Sequence, residues 1–422
     1  MKKALLPLLY MSLCLFCFAF LSGCLKDNIS RTYTIYKPVF KSLTEVRADM
    51  KSSPAQPMKQ TGKLNIYKHY IFLNEVNKGI HIIDNSQPAQ PKNIAFIHIP
   101  GNGDLAIKGD YLYADSYSDL VVFDIRNPQN VTAKKFINRI FPDRGGYYWN
   151  NSNNPDSAQV ITGYISKDTT VDADTYNSWN NCSRCLFYDA SSAAFSTAKS
   201  NIVGVGGSMS RFTIISDYLY SVSTSELYSF NISNGAEPVL SNRSNMGNWN
   251  IETIYPFKNK LFIGSSNGMF IYDLSSPGNP SQLSQFSHIR SCDPVIADGD
   301  YAYVTLRSGT QCQGFTNQLE VLNITNLTQP SLLKIYPMTN PHGLSKDGDL
   351  LFICDGKDGL KVYDAKDANN IQLQKTISGM ETYDVIAQND LAIVVAKDGL
   401  YQFDYADKNN IKQLSKISLT QQ

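Results

Sequence analysis

The apolar residues of this chain fall in short runs separated by turn residues, and the pattern recurs along most of its length. It is clearest at 383–404, where LAIVVA at 391–396 is followed by an Asp398–Gly399 turn and then by LYQFD at 400–404. Short β-rich runs bounded by turn residues are typical of strands. Their regular recurrence indicates a repeat protein.

Seven copies of the pattern align on an aspartate or asparagine that closes the third strand of each copy. These closing residues are Asp84, Asp124, Asn231, Asp273, Asn323, Asp364 and Asp404, at spacings of 40, 107, 42, 50, 41 and 40 residues. A period near 40 with about four short strands per unit is that of a propeller blade. We therefore predict an all-β fold, a seven-bladed β-propeller over residues 63–422, with eight blades as the alternative.

The blades are predicted to differ from their inner to their outer strands. Continuous apolar runs such as 391–396 suit strands that are buried on both faces, whereas the polar run IQLQKTI at 371–377 suits an outer strand with one wet face. Ring closure stays open at this stage. Either the seven copies close end to end, or a strand near Tyr33 completes the last blade.

The 107-residue spacing places an insert at about 142–207. It contains one strand-like run, at 159–165, and otherwise reads as loop with Tyr147, Trp149, Trp179 and many asparagines. Long ordered loops of this size are usually functional or linkers. The phasing predicts that the insert overhangs the face at which the inner strands begin. Its aromatic residues would either stack on a glycan or peptide or, as we favour, pack the insert onto the blades.

The N-terminus carries a targeting signal. Lys2 and Lys3 precede an apolar stretch that leads into LSGC, which ends at Cys24. This arrangement predicts a signal peptide at 1–23, with a retained transmembrane anchor as the alternative. LSGC resembles the bacterial lipobox, which implies cleavage before Cys24 and lipidation of that cysteine. Residues 24–62 would then be a lipidated N-terminus and linker, with one strand at 33–36.

Charge excludes one class of partner. Residues 24–422 carry 36 Lys and Arg against 37 Asp and Glu, so no basic excess draws the protein toward nucleic acid. The expected partner is the membrane, reached through the lipid anchor, and a protein or glycan partner is the further candidate. We expect a location in the bacterial cell envelope, with the outer membrane favoured and the periplasmic or surface face undecided.

Residues at the start of each inner strand should line the mouth of the central channel. The equivalent positions are Lys63, Asp104, Arg211, Glu252, Asp293, His342 and Asp384. Four carboxylates beside two fixed cations and a histidine suggest a site for a divalent cation or a charged small molecule. The simpler interpretation, which we favour, is a solvated rim whose charges compensate one another. The cofactor is otherwise unknown, with a divalent cation as the candidate.

The cysteines of an exported protein are free to form disulfides. Cys292 and Cys312 are expected on the same face of one blade, where a bridge would contribute ~3 kcal/mol in the chain-entropy model. Cys182 and Cys185 form a CxxC, for which a redox pair, half a zinc site and a local structural bridge are the alternatives, and we favour the bridge. Cys354 lies in an apolar strand and is predicted to pack in the core.

The repeats resemble the LVIVD-repeat family, predicted β-propellers of bacterial envelopes. LVVFD at 120–124 nearly matches the run that names the family, and YIFLNE at 70–75 with IHIIDN at 80–85 looks like its first repeat. The resemblance covers about residues 63–417. It implies the fold and an envelope location but no settled activity.

Function is predicted largely from the absence of catalytic motifs. The sequence contains no phosphate loop opening a helix, no HExxH and no GxSxG. We therefore expect a non-enzymatic ligand-binding or protein-interaction module. The alternatives are a structural scaffold, or a carbohydrate-active hydrolase or lyase at the channel mouth. The acid and base of the enzyme would come from Asp104, Asp293, Asp384 and His342.

Overall fold

Seven antiparallel sheets form the blades of a ring, and each blade is built on four consecutive strands of the chain. Six of these sheets have four strands, and the sheet of blade 1 has two further strands at its edges. The structure is a computed structural model. It describes residues 30–141, 148–150, 154, 156–172, 205–209, 211–247, 250–287, 294–308 and 316–420. The predicted seven-bladed all-β propeller is therefore confirmed, and we number its blades 1–7 in chain order.

Each blade runs from an inner strand beside the central channel to an outer strand at the rim. Blade 1 comprises β3 (Leu64–Tyr67), β4 (Tyr70–Glu75), β5 (Gly79–Asp84) and β6 (Lys92–His98). Blade 2 comprises β7 (Leu105–Lys108), β8 (Tyr111–Ser116), β9 (Asp119–Asp124) and β10 (Thr132–Ile137). Blade 3 comprises β14 (Phe212–Ile215), β15 (Tyr218–Val222), β16 (Glu226–Asn231) and β17 (Val239–Asn245). Blades 4 and 5 comprise β18 (Ile251–Phe257), β19 (Lys260–Ser265), β20 (Gly268–Asp273) and β21 (Ser281–Ser287); and β22 (Val295–Asp298), β23 (Tyr301–Leu306), β24 (Gln318–Asn323) and β25 (Ser331–Pro337). Blades 6 and 7 comprise β26 (Leu344–Asp347), β27 (Leu350–Cys354), β28 (Leu360–Asp364) and β29 (Gln372–Ile377); and β30 (Thr382–Gln388), β31 (Leu391–Ala396), β32 (Gly399–Asp404) and β33 (Lys412–Ser418).

The recurrence of aspartate or asparagine at the end of each repeat's third strand has a structural reason. In all seven blades it is the last residue of the third strand, and its side-chain oxygen accepts a hydrogen bond from the backbone N–H two residues later. In blade 1, for example, Asp84 Oδ1 accepts from the N–H of Ser86 at 2.9 Å. Such a turn mimics a backbone turn and ends the strand, so the chain reverses into the outer strand.

The core is divided into seven apolar clusters, one between each pair of neighbouring blades. In β31, Ile393 and Val395 pack against blade 1, whereas Ala392 and Val394 pack against blade 6. Successive side chains of a strand point to opposite faces. Strand β31 is buried on both faces and is apolar at every position, as its continuous run predicted.

The ring closes end to end. Leu64 and Ile71 of blade 1 share an apolar cluster with Ile393 of blade 7. Across the same junction, Gln402 Nε2 donates to Asn85 Oδ1 at 2.7 Å. Strand β33 completes the last blade in sequence order, so a strand borrowed from the N-terminal segment is not used.

The segment that precedes blade 1 contains more structure than the predicted linker. Helix α1 (Leu43–Ala48) begins with a capping box between Ser42 and Glu45 and buries Leu43 and Val46 against blades 1 and 2. Strand β2 (Ser52–Pro54) pairs with the outer strand of blade 1. Part of the predicted linker therefore covers the rim, because its few apolar side chains are buried. In the part of the chain that the structure describes, no helix is long and apolar enough to cross a membrane.

The chain divides into two compact units. One contains the whole propeller. The other, within the described residues, consists of 30–39 and 163–172, where Thr34 Oγ1 donates to Asp168 Oδ1 at 2.7 Å. The run predicted at 159–165 belongs to β12 (Gln159–Asp172), which pairs with β1 (Ser30–Ser42) and β11 (Tyr148–Asn150). The described part of the insert therefore does not form an eighth blade.

Candidate functional site

A cavity of about 380 Å³ lies at the face of the ring where the inner strands begin. Blades 1, 5, 6 and 7 contribute to its lining. Among the lining residues are Lys63 just before β3, His342 before β26 and Asp384 in β30. The volume lies within the range of small-molecule sites. Three of the seven residues predicted at the channel mouth are thus brought together in one concave site.

The channel beside this cavity is occupied by the end of the insert. Strand β13 (Val205–Gly206) adds to the inner edge of blade 1. Ser208 Oγ then accepts a hydrogen bond from the N–H of Leu344 in blade 6 at 2.8 Å, and the carbonyl of Met209 accepts one from Lys63 Nζ at 3.4 Å. We call residues 205–209 the channel segment. The sequence predicted that the insert overhangs the channel, but these residues lie inside it.

The carboxylate of Asp384 is packed between two glycines. A Cβ added to Gly207 would lie 2.0 Å from Asp384 Oδ2, and one added to Gly343 would lie 2.0 Å from Oδ1. Oδ1 also accepts a hydrogen bond from the N–H of Val385 at 3.0 Å, and the residue is only 4% exposed. The carboxylate therefore fills space that any side chain at either glycine would need.

The charged lining of the cavity is mainly basic. The described charged residues of the lining are Lys59, Lys63, Arg307, Lys397 and Asp384. Lys397 Nζ lies 2.9 Å from Glu381, and this hydrogen bond lowers the pKa of the Glu381 carboxyl. Burial lowers the pKa of the Arg307 guanidinium, and the charge of Glu252 acts in the opposite direction. Lys397 is therefore paired with a carboxylate outside the lining, and Arg307 lies within the electrostatic influence of another.

His342 is held in place by hydrogen bonds of its backbone and by a contact between its ring and that of Tyr383. Its N–H donates to the carbonyl of Cys354 at 2.7 Å, and its own carbonyl accepts from Thr305 Oγ1 at 2.7 Å. The imidazole meets the ring of Tyr383 edge-on, with centroids 5.4 Å apart. Burial, followed by the charge of Glu381, raises the pKa of Tyr383 to about 12. The phenol of Tyr383 is therefore uncharged at physiological pH, and its side chain forms part of the cavity wall.

The other predicted channel-mouth residues have different surroundings. Asp104 is fully buried, with Oδ1 accepting from the N–H of Leu105 at 2.8 Å and Oδ2 from the N–H of Arg211 at 3.2 Å. Asp104 thus ties the inner strands of blades 2 and 3 together. Glu252 is half-buried in β18 and influences Arg307. Asp104, Arg211 and Glu252 do not line the cavity. Among the described residues, the cavity therefore brings together Lys63, His342 and Asp384 of the seven predicted positions.

Several predicted residues lie outside the part of the chain that the structure describes. They are Cys24, Cys182, Cys185, Cys292, Asp293 and Cys312. Cys354 is fully buried between blades 6 and 7, which confirms its predicted core position. Among the described residues, no group of three His, Cys, Asp or Glu side chains could hold a metal ion. The divalent cation suggested from the sequence therefore gains no support from this part of the chain.

A family model for the LVIVD repeat matches residues 102–138 and 290–338. The first segment spans the four strands of blade 2 and the second spans those of blade 5. The chain carries LVIVD repeats. One LVIVD repeat corresponds to one blade, beginning just before the inner strand and ending at the outer strand. This agrees with the phasing that the closing aspartates and asparagines gave.

Solved structures similar to this LVIVD-repeat protein share its fold. A protein from Lactobacillus plantarum is 13% identical, with a TM-score of 0.53 over 88% of this chain and 96% of its own. The computationally designed Ika8 protein is 9% identical, with a TM-score of 0.52 over 87% of this chain and 90% of its own. Kluyveromyces lactis Hsv2 is 10% identical, with a TM-score of 0.50 over 86% of this chain and 100% of its own. No curated protein sequence matches the chain.

Sequence reasoning missed two important lining residues, Arg307 and Met209. Arg307 follows β23, the second strand of blade 5. Because the second strand runs antiparallel to the first, its end lies at the face where the inner strand begins. The ends of the second strands were therefore a usable signal. Met209 reaches the cavity through the channel segment, and no local pattern indicates that path.

Proposed function

We propose that this LVIVD-repeat β-propeller is a non-enzymatic ligand-binding module of the bacterial cell envelope, anchored through a lipid on Cys24. The observation that carries the proposal is the cavity formed over the channel segment by Lys63, His342 and Asp384. Met209 of the channel segment belongs to its wall. The site is thus a concave pocket that can hold a small molecule.

The number and the contacts of the carboxylates near the cavity favour a binding function over a catalytic one. Glycoside hydrolysis ordinarily uses two carboxyl groups on either side of the scissile bond. Asp384 is the one carboxylate among the described residues of the lining, and Asp104 is committed to backbone N–H groups. The described lining therefore holds no second carboxylate beside that of Asp384.

Thermal unfolding of the full chain in a neutral detergent tests the binding proposal. The panel is calcium chloride, N-acetylglucosamine and sodium benzoate, one compound for each ligand class considered. A ligand at 100 times its Kd stabilises the folded protein by ~2.7 kcal/mol. We expect at least one compound to raise the melting temperature. The cavity variant Val76→Phe should abolish that increase, because Val76 lines the cavity.

The matched control is Val239→Phe, a residue 63% exposed on the outer strand of blade 3. It should respond to the panel as the wild type does. If no compound raises the melting temperature, or if Val76→Phe responds like the control, the cavity is not the binding site. Hydrolysis of 4-nitrophenyl glycosides that is lost in Asp384→Asn would instead support the carbohydrate-active enzyme.

The envelope location is supported by the LSGC run that ends at Cys24. Metabolic labelling of a bacterial culture with radioactive palmitate tests it. The wild type should incorporate label and Cys24→Ser should not, because the thioether of a lipoprotein needs the thiol. Equal labelling of the two proteins would disprove the anchor.

A further inference from the structure

We propose that Glu75, His81 and Asn93 form a latch that opens on acidification and loosens one wall of the cavity. That wall belongs to the strap, residues 55–63, which are all described and form neither helix nor strand. Five consecutive residues of the strap, 59–63, line the cavity. The inference rests on the proposed function, because it concerns the regulation of that same site.

On the side of blade 7, hydrogen bonds to backbone groups hold the strap. The carbonyl of Met58 accepts from the N–H of Thr420, just after β33, at 2.8 Å. Thr61 Oγ1 donates to the carbonyl of Ala396, the last residue of β31, at 2.8 Å. These two contacts contain no group that titrates near neutral pH. Acidification should therefore leave them unchanged.

On the side of blade 1, the strap is held by side chains that contact a buried histidine. Asn93 Nδ2 donates to the carbonyl of Gln56 at 2.8 Å, and Glu75 Oε2 accepts from the N–H of Lys59 at 3.2 Å. His81 lies between these two side chains and is fully buried. Its Nε2 is 3.0 Å from Glu75 Oε2, and its Nδ1 is 3.3 Å from Asn93 Nδ2. One imidazole therefore contacts both attachments.

These contacts decide which nitrogen of His81 carries the proton. Burial acts to raise the pKa of the Glu75 carboxyl, but the hydrogen bonds from His81 and from the N–H of Lys59 outweigh it, and the pKa lies below its usual value. Glu75 is thus a carboxylate, which only accepts, so Nε2 is the donor. Asn93 Nδ2 faces the carbonyl of Gln56, which also only accepts, so Nδ1 must accept from the amide. The closed strap therefore requires the neutral imidazole.

A proton added to His81 Nδ1 makes that nitrogen a donor that faces another donor, Asn93 Nδ2. A second arrangement of the amide removes this conflict, because Asn93 Oδ1 is buried and has no hydrogen-bond partner among the described residues. Turning the amide by half a turn brings Oδ1 to the new N–H and takes Nδ2 away from Gln56. Because Gln56 is exposed, water can replace the lost donor. Protonation therefore opens the attachment of the strap to β6.

The surroundings of His81 leave it as the group that responds. The titratable groups on β4, on the turn after β4 and in the apolar cluster toward blade 7 are Glu75, Lys78 and Tyr383. On the side of β6, the ring of Phe96 lies with its centroid 4.7 Å from that of the imidazole. Carboxyl groups, lysines and phenols ordinarily change charge outside the range from about pH 5.5 to about pH 7.5, whereas histidine changes charge within it.

Hydrogen–deuterium exchange of the full chain in a neutral detergent tests the latch at about pH 7.5 and about pH 5.5. The reporters are the N–H groups of Lys59 and Thr420, with rates corrected for the intrinsic pH dependence of exchange. Local opening lowers the protection of the amides that the segment holds. We expect protection to fall at least tenfold at the lower pH, a difference of ~1.4 kcal/mol. The buried amides of β31 should keep their protection.

Three variants assign the response to the latch. His81→Gln should show no fall, because glutamine does not titrate, and Asn93→Ala should show low protection at both pH values. His69→Gln is the matched control, an exposed histidine in the turn between β3 and β4 of the same blade, and it should keep the fall. A smaller fall in the wild type, or an equal fall in His81→Gln, overturns the inference. If His81→Gln does not fold, a pH-dependent fall in Asn93→Ala overturns it instead.

Ligand binding separates this inference from the proposed function. Calcium chloride, N-acetylglucosamine and sodium benzoate are titrated at both pH values. A compound that binds should bind at least tenfold more weakly to the wild type at about pH 5.5, and equally at both pH values to His81→Gln. Equal binding to the wild type at both pH values overturns the regulation and leaves the cavity a ligand site. If no compound binds, the proposed function fails, and hydrogen exchange by itself decides whether the latch exists.

Discussion

Replacing Gly207 by alanine tests whether the channel segment occupies the channel as the structure shows. The new Cβ would lie 2.0 Å from Asp384 Oδ2 and 2.4 Å from its Cγ. Distances this short require one of the two groups to move. The carboxylate cannot retreat toward Gly343, because the space on that side is equally tight. The relief available is withdrawal of the channel segment.

The expected cost follows from two effects. Forcing an extra carbon into a well-packed interior costs typically 1–3 kcal/mol. Withdrawal would also break the 2.8 Å hydrogen bond from the N–H of Leu344 to Ser208 Oγ. Leaving a buried N–H without an acceptor costs about 1–3 kcal/mol. The protein either accommodates the extra carbon in place or withdraws the channel segment, and it adopts the one that costs less free energy. We therefore expect Gly207→Ala to lower the free energy of unfolding by about 2 kcal/mol.

Urea unfolding of the full chain, followed by tryptophan fluorescence and circular dichroism, measures this difference. Gly163→Ala is the matched control, because a Cβ at Gly163 meets no atom within 4 Å. Surface substitutions of this kind change stability by less than about 0.5 kcal/mol. A loss below about 0.5 kcal/mol in Gly207→Ala would refute the position of the channel segment beside Asp384.

Two further predictions concern ion pairs of the propeller. A hydrogen bond from the exposed guanidinium of Arg126 is the largest cause that lowers the pKa of Asp124 to about 2. A carboxyl whose folded pKa lies below its unfolded value of about 3.9 stabilises the protein above that pH, and the contribution is lost as the pH falls through about 2. Arg126→Ala should therefore raise the pKa of Asp124 in an NMR titration, and an unchanged value would contradict the assignment. Arg47 lies 2.6 Å from the buried carboxylate of Asp119, so Arg47→Met should lower the free energy of unfolding in urea by about 3 kcal/mol, and a loss below about 0.5 kcal/mol would contradict that pairing.

The sequence by itself determined the architecture, because the information that builds a blade is local. The side chains of the closing residues, such as Asp84 and Asn231, accept a hydrogen bond from the backbone N–H two residues later. Strand β31, which lies between two neighbouring blades, reads as a continuous apolar run because both of its faces are buried. The same phasing predicted that Lys63, His342 and Asp384 stand at inner-strand starts, and these three meet in the cavity.

Only the tertiary structure decided which inner-strand residues share a site and how the channel is filled. Asp104 stands at an equivalent position to Lys63, yet it binds backbone N–H groups between blades 2 and 3. The difference arises from contacts between residues distant in sequence, which no period reveals. The path of residues 205–209 is set in the same way, by pairing with β3, by the hydrogen bond from Leu344 and by the close approach to Asp384. Each of these contacts forms only once the ring has brought blades 1, 6 and 7 together.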